Sequence, residues 1–345
     1  MSARWPVLAL YCRLDSTPNP NGARAMLDGP KTPITPFQIL VLLLILQVFA
    51  SMGLAWFWML WRRFHGRPLL PTVTPRRVPW GLESIAAILI CYVVIALGLS
   101  GHRAFRSHGD GKPTDQDALV LVAVLNFLVL LIVPPLLGRI SGATWDDLGL
   151  KWAGMGRNLA RGVVACLLLA PLCYGLMALA VQIWPPEEHP VLALVKHGLT
   201  PGVAAMTILS AVILAPAAEE LLFRGIIMPW LEKVFRVAPA APSESFLELD
   251  EPADGPLVVP QPVTSRPAHP TLLLLPNVIT SIIFAELHAP QWPAPLPLFI
   301  LSMGLGVLYK RTGSLWAPIA LHASFNGLST IALMLAVWSG LPVPK

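Results

Sequence analysis

The chain has 345 residues, of which 55% are hydrophobic and only 12% charged, and its mean hydropathy is +0.66. Soluble domains carry about 25% charged residues, so this composition excludes an ordinary soluble domain and predicts an integral, multi-pass membrane protein. The formal net charge of +5 is gathered in short basic clusters beside apolar runs, which is the pattern of membrane topology signals and not of a nucleic-acid-binding surface.

Taken in order, residues 1–36 read as a polar N-terminal tail containing Pro18, Pro20, Pro30, Pro33 and Pro36. No short apolar stretch with a small-residue cleavage site follows a basic start, so no signal peptide is expected. Apolar runs at 37–61, 80–100 and 118–137 predict the first three membrane spans, each able to cross a core of about 30 Å. Pro134 and Pro135 are expected to kink or end the third. Residues 139–152 read as a short interfacial segment carrying Trp145 and Trp152, and a fourth span follows at 162–184. The fifth apolar run, 203–235, would measure about 50 Å as one helix, so Pro216 is expected to bend it or its ends to protrude. Residues 236–270 hold eight prolines and five acids, the composition of an extended acidic loop. Three more spans are expected at 271–288, 292–309 and 315–338.

The fold class is therefore all-α, a polytopic membrane helical bundle of about eight transmembrane helices. Its organisation is a tail (1–36), three spans (37–138), an interfacial segment with two further spans (139–235), the Pro-rich acidic loop (236–270) and the last three spans (271–340). Basic residues concentrate after spans one, three, five and seven: Arg62, Arg63, Arg67, Arg76 and Arg77; Arg139, Lys151 and Arg157; Lys233, Arg236 and Arg266; Lys310 and Arg311. The positive-inside rule places these connections in the cytoplasm. A bacterial chain of this kind belongs in the plasma membrane. The four cysteines, Cys12, Cys91, Cys166 and Cys173, lack metal-ligand spacing and read as small packing residues.

One stretch organises the functional reading. Ala215 to Gly225, A-P-A-A-E-E-L-L-F-R-G, sets two carboxylates and a guanidinium inside an apolar run. An ionisable side chain at a helix centre costs about 2.5–3.5 kcal/mol on insertion scales, so such residues are functional candidates. Glu220 and Arg224 stand at i,i+4 and can neutralise each other. Glu219 is turned about 100° away and is left for chemistry.

Late spans add His288, closing F-A-E-L-H, and His322, which opens H-A-S-F-N and shares a helix face with Asn326 one turn on. Peptide hydrolysis would use Glu219 as general base toward a water that His288 positions, while His322 and Asn326 donate to the oxyanion. A zinc site on Glu219, His288 and His322 is a second reading, although no H-E-x-x-H is present. A proton-coupled transporter is a third, and no internal repeat supports it.

The ordered motifs E-E-x-x-x-R (Glu219, Glu220, Arg224), F-x-x-x-H (Phe284, His288) and H-x-x-x-N (His322, Asn326) resemble those of the CPBP family. This family includes type II CAAX prenyl endopeptidases and bacterial proteins once grouped as Abi. The resemblance covers about residues 140–335 and implies an eight-helix intramembrane endopeptidase acting on a peptide or protein substrate, lipidated in the CAAX enzymes. It further implies that Glu219 and His288 activate water, that His322 and Asn326 hold the oxyanion, and that Glu220, Arg224 and Phe284 support them. Members have been labelled both metalloproteases and glutamate proteases, so zinc is a cofactor reading the motifs leave open. Other relatives are thought to be membrane regulators, which keeps a catalytically silent scaffold as the alternative.

Overall fold

In the computed structural model, the residues described are 35–70, 78–110, 115–184, 200–236 and 274–339. They form eight helices and no strand: α1 (Pro36–Phe64), α2 (Leu82–Asp110), α3 (Asp115–Ser141), α4 (Met155–Ile183), α5 (Pro201–Phe235), α6 (Leu275–Glu286), α7 (Pro295–Thr312) and α8 (Trp316–Ser339). Six of them, α1 to α5 and α8, are long and apolar enough to cross a membrane, and the fold is a polytopic helical bundle. The Pro-rich stretch 236–270 and the tail lie outside the described residues but for their edges.

The helices depart from the expected spans in instructive ways. Helix α3 runs through Pro134 and Pro135 to Ser141 instead of ending at them. Helix α4 begins at Met155, seven residues before the expected start, because Arg157, Asn158 and Arg161 continue the helix past the apolar stretch. Helix α6 has only 12 described residues, about 18 Å at 1.5 Å per residue, well short of a full crossing. A 3₁₀ turn at Ala289–Gln291 and the prolines at 290, 293 and 295 stop it and start α7. The 139–152 stretch holds no helix after Ser141. It is a turn in which Thr144 and Asp147 exchange hydrogen bonds, Trp145 and Trp152 remaining exposed.

The chain divides at residue 44, and Met1–Leu44 contributes to the described residues only the first turns of α1. Among the described residues from Ile45 onward there are two apolar cores. One joins Trp80, just before α2, with Ile85 and Ile88 of α2, Val129, Val133 and Leu137 of α3, and Leu221, Ile226 and Met228 of α5. The other joins Cys166, Ala170 and Cys173 of α4, Leu301, Leu305 and Leu308 of α7, and Leu321 and Phe325 of α8. Helices α5 and α8 pack together between them, and this seam carries the polar residues.

Small residues and end contacts set the register of that seam. A Cβ at Gly162 on α4 would run into the Ala317 carbonyl and Leu321 amide of α8, so glycine is what allows the two backbones to approach, as is common between membrane helices. The start of α8 is tied down by Leu315 N–H donating to Gly149 O (2.9 Å) and Trp316 Nε1 donating to Lys151 O (3.0 Å). The far end of α5 is held by Lys233 Nζ on Trp80 O (3.0 Å) and by the Lys310–Glu232 ion pair (2.8 Å).

Candidate active site

Helix α5 delivers the carboxylates through an unusual backbone. Its first turn is ordinary: Thr200 caps it by accepting from Val203 N–H, and Pro201 takes an early position where its missing N–H is harmless. Two seven-residue stretches, Ile208–Leu214 and Leu221–Ile227, then widen to i→i−5 hydrogen bonding, as in Ala215 N–H to Ser210 O and Met228 N–H to Phe223 O. Between them lies Ala215–Glu220, with Pro216 near its start. The proline therefore does not break the helix. Local widening of this kind accommodates an interior proline in membrane helices and recurs at functional sites.

Glu220 and Arg224 are both fully buried, and Arg224 Nη1 lies 2.9 Å from Glu220 Oε1. Nη2 of the guanidinium donates to the carbonyl of Ser302 on α7 (3.1 Å) and also to its hydroxyl. The guanidinium carbon lies 5.0 Å from the Phe284 ring centre and 5.8 Å from that of Phe223. A cation so deep in the bundle persists because it has a counter-charge, oxygen acceptors and two aromatic faces.

His322, 3% exposed on α8, brings a second partner to Glu220. Its Nδ1 stands 2.9 Å from Glu220 Oε1, and its Nε2 stands 3.8 Å from Oε2 of Glu219. An ionised carboxylate can only accept, so Nδ1 carries the proton and Nε2 is the nitrogen turned toward Glu219. The sequence paired Glu220 with Arg224 alone and missed this contact, because the two residues are 102 positions apart.

His288 follows the end of α6. Its backbone N–H bonds Ala285 O, leaving the Phe284 carbonyl without its usual i+4 donor, and its own Nδ1 supplies one at 2.8 Å. Late carbonyls of a helix need such partners. The contact fixes the ring and leaves Nε2 bare in the neutral form. Phe284 links the two histidines, its ring centre lying 5.0 Å from that of His288 and 5.6 Å from that of His322.

Glu219, the least buried of the charged trio with 30% of its side chain exposed, has His322, His288, Glu220 and Arg224 all close enough to act electrostatically on its carboxyl. Tyr92 of α2, which no motif signalled, is also within electrostatic reach of Glu219. Asn326 is placed differently: its Nδ2 donates to Ala211 O on α5 at 2.9 Å, so one amide hydrogen is committed to the backbone. The four residues expected at the site thus come from α5, α8 and the turn after α6, with Glu219 and His322 in direct apposition.

The zinc reading meets a geometric test here. Zinc takes its protein ligands at about 2.0–2.2 Å, and catalytic sites use three of them. Glu219 and His322 face each other, but no three His, Cys, Asp or Glu side chains are grouped as a metal site among the described residues. The described arrangement therefore does not form the expected Glu219, His288 and His322 ligand set. The three described cysteines, Cys91, Cys166 and Cys173, form no disulfide, and Cys166 and Cys173 pack in the second apolar core.

Comparison with known proteins adds one finding. Residues 201–247 and 259–328 match the model of a family described as type II CAAX prenyl endopeptidase Rce1-like, a match that leaves residues 1–200 outside it. No curated protein and no solved structure matched the chain. The matched segments hold all the residues of the three motifs and support the resemblance to the CPBP family.

Proposed function

We propose that the protein is an intramembrane endopeptidase that hydrolyses peptide bonds with water activated by Glu219. The observation that carries this reading is the apposition of the Glu219 carboxylate to His322 Nε2, 3.8 Å apart inside an apolar bundle, within a segment that matches a protease family.

In this mechanism a water held between Glu219 and the bare Nε2 of His288 loses a proton to Glu219. The hydroxide adds to the substrate carbonyl, and Glu219 returns the proton to the departing amine. His322 can donate to the oxyanion only with both ring nitrogens protonated, because Nδ1 already serves Glu220. Asn326 has one amide hydrogen on Ala211 and a second free for the same oxyanion. Each such donor is worth about 2.7–4 kcal/mol in comparable sites.

The substrate is a peptide presented in or at the bilayer. Incubating the reconstituted protein with matched peptides, with and without a lipid at the C-terminal end, tests the reading and its CAAX-type form together. Cleavage of the lipidated peptide alone supports the CAAX-type form, and cleavage of both supports a broader endopeptidase. Proton or solute flux without any cleavage would replace the reading with a transporter, and neither activity would leave a scaffold.

A further inference from the structure

Pro216 and Asn326 are 110 residues apart on different helices, yet both bear on one backbone oxygen. In the widened part of α5 the N–H of Ala215 bonds the carbonyl five residues back, Ser210 O. Continued by one residue, that register would bring the donor of residue 216 to the carbonyl of Ala211. Proline has no N–H to give, and by Leu221 the helix has returned to closer pairing, with N–H to Ala217 O. The Ala211 carbonyl accepts instead from Asn326 Nδ2 on α8, at 2.9 Å. The neighbouring Gly327 packs against the same stretch, a Cβ there falling 3.4 Å from Val212 Cγ1.

We propose that Pro216 is a positioning residue: by withholding a donor it reserves the Ala211 carbonyl as the anchor for Asn326, and this contact sets the register of α8 against α5. His322 lies one turn before Asn326 on the same face, and Glu219 and Glu220 lie within the turn after Pro216. The anchor therefore fixes the level at which the His322 ring meets the two carboxylates. It also holds the Asn326 amide so that its second hydrogen keeps a constant direction. The catalytic consequence rests on the endopeptidase reading, whereas the contact does not.

A double-mutant cycle on the full-length protein tests this. Wild type, Pro216→Ala, Asn326→Ala and the double variant are compared for unfolding in denaturant and for kcat and KM on a cleaved peptide. Pro216→Ala restores a backbone donor that competes for the Ala211 carbonyl, and kcat falls about tenfold with KM little changed, the size expected for one hydrogen bond. The double variant then unfolds at the same denaturant concentration as the weaker single variant and has the kcat of Asn326→Ala. Independent effects, with the two losses multiplying, would overturn the anchor. If Pro216→Ala does not fold, Asn326→Asp reads the same contact by keeping the shape and removing the donor; wild-type stability and kcat in that variant would overturn the proposal. Coupled unfolding in a protein that cleaves nothing would retain the anchor and remove the endopeptidase reading. Uncoupled unfolding in a protein that cleaves would do the reverse.

Discussion

Glu220 and His322 meet across two helices, with the carboxylate Oε1 standing 2.9 Å from the imidazole Nδ1. The same oxygen accepts from Arg224 Nη1, also at 2.9 Å, so a single buried atom holds one cation and orients the His322 ring. A carboxylate that began as the ordinary partner of an i,i+4 ion pair thereby sets which nitrogen of His322 faces Glu219.

Removing that carboxylate is expected to leave Arg224 buried without a counter-charge. Glu220→Ala lowers stability by about 3–5 kcal/mol, the usual consequence of breaking a buried pair from one side. Replacing Arg224 with Met in the same chain recovers a large part of the loss. Denaturant titration of wild type and the two variants in detergent checks this, and equal stability of Glu220→Ala and wild type would show that the pair is not closed.

The α4–α8 crossing makes a steric prediction. Gly162→Val places methyl groups against Ala317 and Leu321 of α8 and costs about 1–3 kcal/mol or more, with activity falling as His322 moves. Gly175→Ala on the same helix meets nothing within 4 Å and leaves both stability and activity at wild-type levels. Unfolding curves of the two variants separate a packing effect from a general intolerance of α4.

Phe284 contacts both histidine rings and the Arg224 guanidinium. Phe284→Leu keeps an apolar side chain but loses these ring contacts, each worth about 0.5–1.5 kcal/mol. A fall in kcat of about tenfold or more, with a smaller change in KM, is the expected outcome in steady-state assays.

Cleavage is predicted to survive exhaustive chelation, because the described residues pair Glu219 with His322 and do not gather a third ligand. Metal analysis of the purified protein beside the chelated assay decides the point. Stoichiometric zinc, with activity lost on its removal and restored on its return, would give the site to the metal.

Much of this was legible in the sequence. Apolar runs long enough to cross a bilayer gave eight helices in nearly the right places, and charges rare enough to count pointed to α5, α6 and α8. The spacing of Glu220 and Arg224 alone predicted their pairing. What the chain could not reveal were contacts between distant positions: His322 on Glu220, Ser302 under Arg224, Tyr92 near Glu219 and Asn326 on Ala211. The short α6 was misjudged because hydropathy continues through residues that leave the helix, and α3 outlasts Pro134 and Pro135 because a proline's missing donor can be tolerated within a packed bundle. Pro216 carried a signal of its own, since an interior proline must leave a carbonyl for something else to take.

The most direct measurement compares wild type and Glu219→Gln, both reconstituted and matched in unfolding behaviour, for cleavage of a peptide library. Glutamine keeps the shape of the side chain and removes the base, so the account predicts a rate lower by about 10²–10⁴. Cleavage by Glu219→Gln at the wild-type rate would contradict it.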